Sequence, residues 1–133
     1  LTTLRESDQK NMVLASGKTY GGDEVYIDVD DRGSLVSMTK DLAAADGAFG
    51  EFVGISKVSI EAYQKMCDIF SREGPLTIDY EYVMPNVAHP DNFIVQRVDD
   101  LVWCEIDDSK QLMRASSEVI FALDAANVLH SRH

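Results

Sequence analysis

At Ser59 the hydrophobic rhythm of the chain changes, and no other feature constrains the fold as tightly. Before it, EFVGISKVS (residues 51–59) carries a Phe52-Val53-Gly54-Ile55 core that suits a buried strand. After it, Ile60, Tyr63, Met66, Cys67 and Phe70 recur at offsets 0, 3, 6, 7 and 10, one stripe along a helix. Ser59 is placed to cap that helix and Gly74-Pro75 to stop it. A strand feeding an amphipathic helix needs a sheet for one and a layer for the other. An α/β fold is therefore expected, a mixed sheet with flanking helices.

The rest of the chain fits this frame. Residues 1–10 read as the tail of a helix with Leu1 and Leu4 on one face, followed by a strand at NMVLA (11–15) and a Gly-containing loop over 16–23. EVYIDVD sets Val25, Ile27 and Val29 against Tyr26, Asp28 and Asp30, the period of a strand. DDRG (30–33) is a turn with Gly33 free to take a positive φ, and SLVSMTK returns to Lys40, completing a hairpin. A small-residue loop, DLAAADGAFG (41–50), leads to the strand before Ser59.

Beyond the helix, Leu76, Ile78, Tyr80, Tyr82 and Met84 alternate as in a strand, although Pro75 could equally begin a helix. Two apolar runs follow, FIVQRV and LVWCEI, separated by Asp99-Asp100. A second helix opens near Ser109, with Leu112, Ala115, Val119, Ile120, Leu123 and Ala126 on its stripe and Asp108 as its natural N-cap. With no internal repeat and no low-complexity linker, residues 1–133 read as one domain.

A formal net charge of −11, from 12 basic and 23 acidic residues, repels a phosphate backbone, which argues against nucleic-acid binding. No run approaches the roughly 18 apolar residues of a membrane span, and no signal-like segment follows Leu1, so a soluble cytoplasmic protein is expected. Cys67 and Cys104 lie among apolar neighbours without CxxC or Cys/His spacing and read as reduced core thiols. His89, His130 and His133 form no cluster.

The candidate site is LVWCEIDDSKQLMRA (101–115), where an apolar run ends in Glu105, Asp107 and Asp108 ahead of a helix. In an extended chain Glu105 and Asp107 share a face, and close carboxylates repel unless a cation or a hydrogen-bond network lies between them. A hard divalent ion fits that need. The alternative is local: Asp108 caps the helix, Asp107 favours its first turn, and Glu105 is a solvated strand end. Spacing alone leaves both open.

Two motifs carry a resemblance. Gly50-Glu51-Phe52-Val53-Gly54-Ile55 follows a hairpin ending in Lys40, and about 45 residues later come Trp103, Glu105, Ile106, Asp107, Leu112 and Ala115. This order resembles the C-terminal half of the sugar-phosphate and choline-phosphate type nucleotidyltransferases, in particular cytidylyltransferases acting on small phosphorylated or phosphonylated alcohols and amines, aminoethylphosphonate among them. The resemblance implies the C-terminal part of a Rossmann-like domain that uses Mg²⁺ and CTP. Asp107 would be a metal ligand, and Glu105 a second ligand or a binder of metal-bound water. Lys40 would be a countercharge for the acceptor's phosphate or phosphonate, and Glu51, Phe52 and Gly54 would line the acceptor pocket. For an acceptor bearing an ammonium, Glu51 and a ring such as Phe52, Tyr82 or Trp103 would hold the charge.

The resemblance also implies a helix over 76–84, from Tyr80-Glu81-Tyr82-Val83. It does not extend to the family's Gly-rich triphosphate loop. SGKTYGG (16–22) has glycines and a lysine in the wrong order and lacks the arginine, so a partial domain without its N-terminal nucleotide-binding part is implied. Such a domain exposes a sheet edge, and self-association or pairing with a complementary N-terminal half is expected. The alternative function is a non-catalytic α/β binding or interaction module derived from that fold.

Overall fold

The computed structural model describes residues 2–18, 24–73, 83–87 and 89–130, and the chain divides into two compact units, 1–99 and 100–133. The first contains helix α1 (Thr2–Glu6), strands β1 (Met12–Ser16), β2 (Tyr26–Val29), β3 (Leu35–Thr39) and β4 (Gly50–Lys57), helix α2 (Ile60–Glu73) and strand β5 (Ile94–Val98). The strands form one mixed sheet in the order β3-β2-β4-β1-β5, with β1 and β5 parallel and the other neighbours antiparallel. The segment 76–82, expected to be helical, lies outside the described residues.

β1 is buried from end to end, as MVLAS suits a central strand covered on both faces. Val13 and Ala15 join Ile27, Met38, Phe52 and Val95 on one face, where Ala62 and Met66 of α2 and the fully buried Phe93 complete the core. Asn11, just before β1, ties three segments together: its amide nitrogen donates to Asp91 O at 2.9 Å and its oxygen accepts from Ser59 N at 2.7 Å. Ser59 caps α2 as expected, its hydroxyl accepting from Ala62 N at 3.1 Å.

α2 is rotated from the expected stripe. Ala62 and Met66 are its buried residues, with Ile69 and Phe70 packed beside them, while Ile60 and Tyr63 are 72% and 61% exposed and Cys67 is exposed. Ala62, too small to register in the hydrophobic pattern, is fully buried in the core. The thiols correct likewise: Cys67 is on the surface and Cys104 half-buried, so neither is a core residue.

The β2–β3 hairpin turns as its sequence dictates. Asp30 Oδ1 accepts from Arg32 N at 2.9 Å and Ser34 N at 2.8 Å, and Gly33 takes φ +77°. Just beyond the turn the sheet curls until its two edge strands touch. Ser34 bridges Ile94, with Leu35 N donating to Phe93 O at 2.8 Å and Val95 N to Gly33 O at 2.9 Å.

In the second unit, residues 101–106 adopt no regular structure where LVWCEI reads as a strand. A strand is held by its neighbours, and this run has no ladder partner among the described residues. Helix α3 (Ser109–Arg114), a π turn (Ala115–Val119) and helix α4 (Ile120–His130) then follow as one continuous helix. Among the described residues no helix is long and apolar enough to cross a membrane.

Candidate functional site

The ladder registers of the first unit place one residue of each strand in a row across the sheet: Thr39, Tyr26, Glu51, Ser16 and Val98. Ser16 and Val98 are the last residues of the parallel strands β1 and β5, so the row marks their carboxyl ends. Directly opposed residues point to the same face. The centre of the row is therefore a hydroxyl, a carboxylate and a phenol side by side, with Ser16 1%, Glu51 2% and Tyr26 5% exposed.

These groups are mutually constrained. Burial holds the Tyr26 phenol above its ordinary value, and the negative charges of Glu24 and Glu51, with a hydrogen bond to Glu24, push in the same direction. The Ser16 hydroxyl donates to Gly17 O at 2.8 Å. Gly50 lets β4 approach β1 here, since a Cβ at that position would lie 2.7 Å from Ser16 O and 3.1 Å from Ala15 Cβ. Lys18 lies two residues beyond Ser16, while Arg97, in register with Ala15, belongs to the opposite face of the sheet. Arg97 on β5 pairs with Asp99 at 2.5 Å, bonds Phe49 O and lies over the Phe49 ring, and Lys18 donates to Asp46 O at 2.9 Å.

The expected acceptor residues separate on this sheet. Glu51 stands in the row, and Lys40 is exposed directly after Thr39, the row's residue on β3. Phe52 points to the opposite face, across from Ala15, and is committed to the core. Gly54 lies farther along β4, in a bulge where Val53, Gly54 and Ile55 stand against Leu14 alone; it takes φ +73° and is exposed. Ser16, Tyr26 and Arg97 were not among the expected site residues. The signal for Arg97 was a lone charge near the end of an apolar strand, while Tyr26 fell on the polar side of its strand's alternation.

In the second unit the three carboxylates have different fates. Asp108 is consumed by the helix: its side chain accepts from Gln111 N at 2.7 Å, and Gln111 Oε1 in turn accepts from Asp107 N at 2.5 Å and Asp108 N at 3.3 Å, a capping box. Glu105 and Asp107 are exposed, and their carboxylates bond to no other described residue. Among the described residues no group of three His, Cys, Asp or Glu side chains could hold a metal ion. Mg²⁺ commonly takes one or two protein carboxylates and completes its shell with water and substrate phosphates, but the shared face expected of Glu105 and Asp107 rested on a strand that residues 101–106 do not form. Trp103 and Cys104, just before them, are half-buried.

No model of a known protein family matches the chain.

Proposed function

We propose that the chain is the acceptor-side portion of a Mg²⁺-dependent nucleotidyltransferase with a Rossmann-like sheet. It would be similar to cytidylyltransferases, passing a nucleotidyl group from CTP to a small phosphorylated or phosphonylated alcohol or amine. The observation that carries this reading is the division of labour among the acids ahead of the helix: Asp108 is spent on the cap, whereas the exposed Glu105 and Asp107 carboxylates bond to no other described residue. The buried Glu51 at the carboxyl edge of β1 and β5, with Lys40 on the same rim, supports it from the first unit.

In this reading an oxygen of the acceptor's phosphate or phosphonate attacks the α-phosphorus of CTP, forming the new P–O bond as pyrophosphate leaves. Bound Mg²⁺ supplies neutralisation of phosphate charge, and Asp107 and Glu105 are the residues that would hold it. Within the first unit, Lys40 would balance an anionic acceptor and Glu51 would orient its hydroxyl or ammonium end. The Gly-rich triphosphate loop belongs to a complementary N-terminal half.

The test is isothermal titration of CTP into the chain with and without Mg²⁺, repeated on Asp107→Ala. Metal-dependent binding that the substitution abolishes supports the reading. Binding in neither condition, with the complementary half absent or supplied, leaves a non-catalytic binding module.

A further inference from the structure

The helix over 109–130 presents an apolar face to solvent. Leu112 and Met113 are 53% and 68% exposed, Ile120 and Phe121 51% and 68%. The π turn at Ala115–Val119 adds a residue to one turn, which brings Ile120 back beneath Leu112 and Phe121 beneath Met113. Ser116 and Ser117 lie between the pairs, and their hydroxyls are turned inward, donating to Leu112 O at 2.9 Å and Met113 O at 2.8 Å. The face is thus two large apolar pairs separated by a shallow step whose polar atoms are already satisfied.

Charge decides what fits this face. The N-terminal half of the helix carries Lys110 and Arg114, and the C-terminal half Glu118 and Asp124. A parallel copy would set like charges together and align the two helix dipoles, whereas an antiparallel copy reverses both. We propose that this face is the dimer interface of the chain, an antiparallel helix pair crossing at Ser116 and Ser117. In that register Leu112 faces Phe121 of the second copy and Met113 faces Ile120. Lys110, at the flank of the face, reaches Asp124, which lies within it. The small serines permit close approach at the crossing, and the four large side chains on each helix fill the space on either side. This interface does not depend on the nucleotidyltransferase reading.

Sedimentation velocity of the full chain over a range of concentrations tests the proposal. The expected result is a species of twice the 14.8 kDa chain mass. Lys110→Glu and Asp124→Lys should each raise the dimer Kd about tenfold, since each reversal acts on two symmetry-related pairs, and the double variant should restore it. Phe121→Ser should raise it about a hundredfold. The three substituted positions, Lys110, Phe121 and Asp124, are all exposed, so far-UV circular dichroism should be unchanged. A monomer at every concentration, as would follow if the face were covered within the chain or by a different protein, overturns the proposal. So does a dimer indifferent to Phe121→Ser and to both reversals, which would point to another surface.

Discussion

Tyr26 and Glu51 stand directly opposite each other across β2 and β4, a phenol and a carboxylate buried in one row of the sheet. In the folded chain the phenol resists ionisation, because burial and the neighbouring acids all penalise a further negative charge. The unfolded chain has no such penalty and ionises near the ordinary tyrosine value of 10.0.

Stability should therefore depend on pH at the alkaline end. The contribution of Tyr26 is fully present below about pH 10 and is lost as the pH rises through the higher folded value, because the unfolded state gives up the proton first. Urea midpoints measured between about pH 8 and pH 11.5 should fall more steeply for the wild type than for Tyr26→Phe. Equal slopes would remove Tyr26 from the account.

The two glycines of GEFVGI should respond to alanine for different reasons. Gly50→Ala places a methyl group 2.7 Å from a backbone oxygen, so the strands must part, at a cost on the order of 2 kcal/mol. At Gly54 nothing lies within 4 Å of the added carbon and only the positive φ is penalised, about 1 kcal/mol. Denaturant unfolding should rank Gly50→Ala below Gly54→Ala, and the reverse order would contradict the close approach of β4 to β1.

Asp108 and Asp107, adjacent in sequence, should separate cleanly. Asp108→Ala removes a capping box and should cost about 1 kcal/mol with a loss of helicity by circular dichroism. Asp107→Ala removes a carboxylate that bonds to no other described residue and should change stability by less than about 0.5 kcal/mol. A loss of Mg²⁺-dependent CTP binding in Asp107→Ala could then not be attributed to unfolding.

The Asp30 turn should fail in acid. The N–H of Ser34, with that of Arg32, holds the Asp30 carboxylate below its ordinary value of 3.8. Its contribution is present above that value and lost as the pH falls through the lower folded one. Between about pH 5 and pH 2, Asp30→Asn should show a shallower fall in thermal midpoint than the wild type.

Legibility in the sequence followed the range of the interactions. The Asp30–Gly33 turn, the Ser59 cap and the Asp108 cap were readable because each is fixed within four residues by one side chain and nearby backbone amides. The α/β class was readable from the change of period at Ser59. The burial of Tyr26 was not, because alternation assigns a residue to a face without saying whether that face is covered, and the sheet's second face is buried too at Met12, Leu14 and Val53. The rotation of α2 was hidden by Ala62, whose importance is its small size. LVWCEI has the composition of a strand, and pairing, the property that would make it one, is set by residues elsewhere in the chain. At the candidate site Glu105 and Asp107 were legible as types, while the row of Ser16, Glu51 and Tyr26 exists only through the registers of three strands.

The contact of Gly33 and Leu35 with Phe93 and Val95 joins segments about sixty residues apart. Such a closure cannot form early, because each hydrogen bond must wait for the intervening strands and helix to be in place. The amide protons of Leu35 and Val95 are consequently reporters on the whole unit: their exchange with solvent follows the opening of the entire ring of strands, while the Arg32 and Ser34 amides, tied to Asp30 beside them, exchange on the schedule of the turn alone.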